Sequence, residues 1–417
     1  MASLYSEIHQ FEPLLPEQDV TLVDLAEQLI AADAKLSGGL HKLTKAAIAD
    51  LVRSMNCYYS NLIEGHKTLP ADIEKALRNS FSGDKSQQDL QHLALAHIDA
   101  EKALQAQVRS GASPYSADFI AGCHKLFCDR LPASMLELPD GGVMVPGQFR
   151  LTEVFVGDHV APAHGSVPKF MRRFEEVYSA PRSPRSAPLI AIAAAHHRLV
   201  WIHPFTDGNG RVSRLVTGAM LQAANINQDG LWSLSRGLAK SSQPDPSDPA
   251  KLSYKAALHN ADAPRMGNFD GRGNLSAKML DAFCAFVLKT AVDQATYMSS
   301  MVDLPALGAR FANYFEKARP DIRPQAIHLM VSALAHGEFP RGDADRITGL
   351  QERVARGLLG QLVDEGFLIS STPKGPVHVG FPVKALGYVF PNLYPEGSLD
   401  AAPLPPDKIR KGARPGR

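Results

Sequence analysis

Between residues 203 and 214 the chain reads HPFTDGNGRVSR, which sets an imidazole, a carboxylate, two glycines and two arginines close together. Gly208, Asn209 and Gly210 fall just ahead of a predicted helix, where free N–H groups and the helix dipole favour an anion. The glycines permit turn dihedrals and let a phosphate approach the backbone closely. Arg211 and Arg214, three apart on the first turn of that helix, can lean both guanidinium forks toward one polyphosphate. Asp207 adds a hard carboxylate beside this cradle, suited to a Mg²⁺ that keeps most of its waters and bridges substrate phosphates. His203 stands at the mouth of the cradle, and an imidazole with a pKa of about 6.5 can take a proton from a hydroxyl at neutral pH. Phosphoryl chemistry asks chiefly for positioning and charge stabilisation, which this set supplies. Phe205 reads as a buried anchor for the loop.

Such a loop needs firm elements on both sides. Helical spacing runs through Leu189, Ile192, Ala193, His196 and Val200, breaks at His203-Pro204, and resumes at Val212, Leu215, Val216 and Ala219. Residues 20–131 read as successive helices, with Ile48, Leu51, Val52, Met55 and Tyr59 on one face and breaks at Gly38-Gly39, Pro70 and Ser82-Gly83. From Gly141 to Pro162 short β-branched and aromatic runs predict a strand island, with Val154, Phe155 and Val156 turning at Gly157-Asp158 into a small hairpin. SSQPDPSDP at 241–249 predicts a surface loop, and helices around 251–260 and 276–318 follow.

Beyond Arg319-Pro320 helical patterns at 324–335, 343–348 and 350–366, then LISS and VHVGF around a Pro-Lys-Gly turn, predict a winged helix-turn-helix unit. The Pro-rich, basic end predicts a disordered tail from 393 to 417. The predicted fold is therefore mostly α, divided into an N-terminal helical region (1–110), a helical catalytic core with a small hairpin (111–318), the winged-helix unit (319–392) and the tail.

A chain of 417 residues exceeds the usual single core, and 45% hydrophobic with 21% charged residues is ordinary globular usage. Lys and Arg total 44 against 43 acidic residues, so no global field recruits nucleic acid or membrane. Cys57, Cys123, Cys128 and Cys284 lack CxxC spacing and read as buried free thiols of a reducing compartment. The first residues show no signal-peptide pattern, and Leu189–Ile202, interrupted by His196, His197 and Arg198, is too short and polar to span a bilayer. The expected location is cytoplasmic, without membrane attachment.

The segment 203–214 matches HxFx[DE]GNGRxxR at every specified position, and the chain thereby resembles the Fic family. GQFR at 147–150, VFVG at 154–157, WSLSRGLA at 232–239 and GRGNLS at 271–276 also resemble segments of the larger Fic proteins. The resemblance implies a helical core in which His203 deprotonates a Ser, Thr or Tyr hydroxyl of a target protein. That oxygen attacks the α-phosphate of ATP, with Mg²⁺, and pyrophosphate leaves. A sister group with kinase-like phosphate orientation carries Lys where this chain has Gly210, which favours AMP transfer. The hairpin Val154, Phe155, Val156, Gly157 corresponds to the family's flap, which aligns an extended target segment by backbone pairing.

Upstream, Ser60-Asn61-Leu62-Ile63-Glu64-Gly65 matches the inhibitory pattern [ST]xxxE[GN] of Fic proteins. Glu64 would pair bidentately with Arg214 and occupy the fork meant for the γ-phosphate. The resemblance also implies removal of AMP as a second activity, and self-modification. Tyr254 lies in a segment resembling the helix that borders the adenine pocket, where its ring would stack on the base; a purely structural tyrosine is the alternative. His196 and His197 lack any companion metal pattern, and His196 reads as a core residue. Arg346, Arg353 and Arg356 offer only fragments of a basic stripe, diluted by Glu352, Asp364 and Glu365, so DNA contact stands beside homodimerisation or partner docking. The competing function is a DNA-binding regulator with a nucleotide-sensing core, against which the intact His203 argues.

Overall fold

The computed structural model describes residues 5–399 except 18, 139–140, 158, 244–251 and 396. Asp158 of the predicted turn, most of the 241–249 loop and residues 400–417 of the predicted tail lie outside the described residues. The chain opens with α1 (Val20–Gly38), α2 (Lys42–Ile63), α3 (Pro70–Leu77), α4 (Lys85–Arg109) and α5 (Ala117–Cys128). A hairpin follows, β1 (Phe155–Val156) against β2 (His159–Val160), antiparallel with Phe155 opposite Val160. Then come α6 (Val167–Tyr178), α7 (Ser186–Ile202), α8 (Asn209–Ala223), α9 (Leu234–Ser241), α10 (Tyr254–Ala261), α11 (Ala277–Met301) and α12 (Leu304–Ala318). The C-terminal unit holds α13 (Ala326–His336), β3 (Glu338–Phe339), α14 (Ala344–Thr348), α15 (Glu352–Asp364), β4 (Leu368–Ile369), β5 (Val377–Val379) and α16 (Leu386–Val389). Its sheet is antiparallel in the order β3-β5-β4. The predicted C-terminal helices and the β4 and β5 strands are present within a few residues; β3, only two residues long, gives no periodic signal.

α7 is the axis of the molecule. It is apolar almost all round, as a helix enclosed on every side must be, and it packs against α1, α6, α8 and α11. α1 lies along α11 and α7, so the N-terminal helices share one hydrophobic core with the central body. Phe11 extends that sharing: it is fully buried, edge-on to Phe170 and stacked on Trp201.

Two helix ends matter most. α2 closes in a Schellman turn: the N–H of His66 donates to Asn61 O and that of Gly65 to Leu62 O, with Gly65 at φ +86°. The left-handed residue after Glu64 is the physical reason for glycine or asparagine at that place in the pattern. α8 starts at Asn209 behind Gly208, which has φ +80°, so Asn209 and Gly210 belong to the first turn and do not precede the helix as the sequence suggests.

The disordered tail does not begin at 393. Leu393 is fully buried, Tyr394 stacks on Tyr59 at 6.2 Å, and Ser398 Oγ meets the Tyr58 hydroxyl at 3.0 Å. Tyr59 donates to Leu393 O and Arg236 Nε to the same carbonyl. The basic, proline-rich composition that suggests disorder starts later; Leu393, Tyr394 and Ser398 pack against Tyr58 and Tyr59 of α2.

Candidate active site

The motif loop is held by its own side chains. Asn209 brackets Phe205, with Oδ1 accepting from its N–H at 2.9 Å and Nδ2 donating to its C=O at 2.8 Å. Its side-chain amide therefore braces the loop and is not free for an anion. Phe205 is fully buried and stacks on His124 at 4.0 Å, as an anchor should. Asp207 Oδ1 accepts from Gly208 N at 2.6 Å and fixes the left-handed glycine.

His203 caps α7 with φ +49°, a left-handed conformation rare for histidine, which swings its ring off the helix axis. Nδ1 lies 3.4 Å from Val200 O, so the tautomer that satisfies this carbonyl carries its proton on Nδ1. The lone pair on Nε2 is then free for a substrate proton. Burial first, then the neighbouring His159, push the His203 pKa down to about 4, so the ring is a neutral base at pH 7.

His203, Gly210, Arg214, Glu64, Tyr254 and the hairpin residues Val156 and Gly157 surround one cavity of about 410 Å³. Glu64 stands in its wall. Arg214 Nη2 donates to Glu64 Oε1 at 2.7 Å and to Ser60 O at 2.9 Å, while Nε donates to Ser60 Oγ at 3.0 Å. The carboxylate engages Arg214 through one nitrogen and not through the parallel fork the sequence suggests, because Ser60 already takes Nε. Ser60 O is one of the carbonyls left open at the end of α2, where a cation is favoured. Burial raises the Glu64 pKa, but Arg214, Arg211 and Lys255 outweigh it and hold the carboxyl below its ordinary range.

The two motif arginines do not converge. Arg211 lies over the Phe127 ring at 5.1 Å and reaches Asp207 Oδ2 at 3.5 Å, so Arg214 alone faces the cavity. Tyr254 is 2% exposed and offers no open ring face in this conformation. Its hydroxyl meets His196 Nε2 at 2.7 Å, and His196 Nδ1 meets Thr217 Oγ1 at 2.7 Å, which makes His196 a helix-to-helix strut. Val154 precedes β1, while Phe155 and Val156 form it and stay exposed.

Sequence reasoning missed Arg150 as a single organising side chain, although GQFR contains it. Arg150 N donates to Pro204 O and Nε to His203 O at 2.8 Å, while Nη2 donates to Pro162 O at the far end of the hairpin. One guanidinium thus ties the flap to the motif loop. It also missed His124, His159 and Asp262. His124 accepts from Gly147 N at 2.8 Å and faces Asp207 O at 3.3 Å.

Burial lowers several histidines at once, His97 and His196 to about 3 and His124 and His203 to about 4. The unfolded chain binds these protons near pH 6.5 and the folded chain only near 3 to 4. Stability is therefore retained above about pH 6.5 and falls as pH drops toward 4. Calorimetric melting at pH 7.5, 6 and 5 should show Tm declining stepwise; a flat Tm would contradict it.

The geometry is that of a helical body whose αL-capped loop sets the start of α8 beside a neutral histidine. Residues 114–221 match the Fic/DOC family. The chain is 30% identical over 203 residues to a protein adenylyltransferase Fic of Culex quinquefasciatus, covering 48% of this chain and 37% of that protein. It is 32% identical over 170 residues to a protein adenylyltransferase Fic of Nematostella vectensis, covering 40% and 37%. The matches span well under half the length of these two relatives. Among solved structures, Fic-1 from C. elegans shares the fold with a TM-score of 0.50 at 16% identity, over 67% of this chain and 72% of that one. Among the described residues no helix is long and apolar enough to cross a membrane, and all four cysteines are free and buried.

Proposed function

We propose that this protein transfers AMP from ATP to a hydroxyl of a protein target and that the structure is its clamped form. The observation that carries the reading is that Glu64 and its partner Arg214 line the same cavity as the free Nε2 face of His203. The relatives named protein adenylyltransferase support the reaction class. In the transfer, His203 takes the proton of a Ser, Thr or Tyr hydroxyl. The oxygen forms a bond to the α-phosphorus of ATP, and the bond from that phosphorus to the β-bridging oxygen breaks, releasing pyrophosphate. The N–H of Gly208 is taken by Asp207, so the backbone N–H groups of Asn209 and Gly210 neutralise the phosphates, and Arg214 takes the γ-phosphate once Glu64 leaves it.

Among the described residues no group of three or more His, Cys, Asp or Glu could hold a metal ion on its own. The donor set does fit an ion carried in on phosphates: Asp207 is exposed, oriented by Gly208 N, and next to the start of α8. A Mg²⁺ held there would neutralise developing charge on the phosphates.

The exposed edge of β1, with Phe155 and Val156, suits pairing with an extended target segment. The helices and sheet of residues 319–392 support a winged-helix reading of that unit, with dimerisation or partner docking as its role. DNA contact has less support, since Arg346 is tied to Asp343 at 2.7 Å and Arg356 to Glu352. A cytoplasmic protein acting on other proteins, and on itself, fits these features.

The test is the Glu64→Gly protein incubated with ATP labelled on either the α- or the γ-phosphate. Protein-bound α-label, with label released as pyrophosphate in the γ case, is expected. Retention of γ-label would replace AMP transfer with phosphorylation.

A further inference from the structure

One carboxylate in the cavity wall joins the flap to the axis helix. Asp262, the residue that caps α10, places Oδ2 2.9 Å from His159 Nδ1 on β2 and Oδ1 3.1 Å from His197 Nε2 on α7. His197 Nδ1 lies 2.7 Å from Arg198 Nη1, and arginine can only donate, so His197 carries its own proton on Nε2 and gives it to Asp262. The two histidines hold Asp262 well below the usual carboxylate range, in spite of burial.

His159 is different. Its Nε2 lies 2.9 Å from Trp201 O, so both ring nitrogens face groups that can only accept. Both bonds exist together only if both nitrogens carry protons. Trp201 is in the last turn of α7, where carbonyls lack intrahelical partners and the dipole favours a cation. The side chain is 14% exposed, which keeps the arrangement out of bulk water. The ring centroid is 6.3 Å from that of His203.

We propose that His159 is a positioning residue for the transfer reaction, an imidazolium latched between Asp262 and the end of α7 that fixes the flap and keeps its neighbour His203 in the free-base form. The proposal rests on the AMP-transfer reading. A positive charge this close makes a second protonation at His203 unfavourable, in the same direction as the lowered value of His203. The other titratable groups around the pair are Arg150, Asp207, His197, Asp262 and Tyr5, with Glu64, Arg214, Tyr254, Lys255 and His259 lining the same cavity. A latch built from uncharged groups would hold the flap without an effect on His203; the charge is what reaches His203.

The test uses full-length Glu64→Gly protein and the same protein carrying His159→Gln, which keeps a hydrogen-bonding amide but no charge. Histidine ¹⁵N chemical shifts at pH 7 should show both His159 nitrogens protonated in the parent, and titration of His203 should move upward by about one pH unit in the variant. The acid limb of α-labelled AMP incorporation should move with it, while affinity for ATP stays within twofold. Asp262→Asn should shift the His203 titration in the same direction, and its melting temperature checks that the fold survives. A neutral His159 at pH 7, or a His203 titration unmoved in both variants, would overturn the proposal. Shifted titrations with no AMP incorporation at any pH would retain the electrostatic coupling and sink the transfer reading instead.

Discussion

Replacing Glu64 by glycine is expected to raise AMP incorporation by about 10- to 100-fold. The clamp consists of charge-assisted bonds, which typically contribute about 1.5–3 kcal/mol each. A clamped state favoured by about 2.7 kcal/mol would leave about 1% of molecules competent, and removing the carboxylate would release the remainder. The substitution spares the helix, because the Schellman turn of α2 is closed by the backbone of Gly65 and His66 and not by the Glu64 side chain. Arg214 keeps its bonds to Ser60 and gains a free edge toward the cavity. Labelled ATP and a filter-binding assay on the wild type and the variant measure the effect; equal incorporation would remove the clamp from the account.

The second large effect is at His203. In the Glu64→Gly background, His203→Asn should cut transfer by about 10²- to 10⁴-fold, the usual contribution of a positioned base. Asparagine is the informative replacement, since it tolerates the left-handed φ of +49° better than alanine. An unchanged melting temperature together with the rate loss would assign the effect to chemistry. A rate within a few-fold of the parent would mean that the proton goes elsewhere.

The sequence was most informative where chemistry lies in consecutive residues. His203 to Arg214 form one strand of text, and so do Ser60 to Gly65, because a helix break and a helix end each gather their groups within a turn or two. What the spacing could not convey is direction. Arg211 and Arg214 sit on one helix turn, yet Phe127 draws the first guanidinium aside and Ser60 draws the second inward. The contacts that organise the flap were hidden because they join distant residues: 53 positions separate Arg150 from His203, and 103 separate His159 from Asp262. Neither pair leaves a local pattern. The burial of Leu393, Tyr394 and Ser398 leaves no local signal for a related reason, since their partners Tyr58 and Tyr59 lie more than 300 residues earlier.

A Cβ built on Gly210 would overlap Glu64 Oε1 and meet Arg214 Nη1 at 3.2 Å. The position that would carry a phosphate-orienting lysine is thus the space into which the clamp folds. A side chain at 210 and a seated Glu64 exclude each other, so the two substitutions are epistatic. Changing 210 first would dislodge the carboxylate and leave an unrestrained enzyme, whereas shortening Glu64 first opens the room that a new residue needs. The route by which such a protein could acquire a different phosphate chemistry therefore has an order, and it passes through loss of self-restraint.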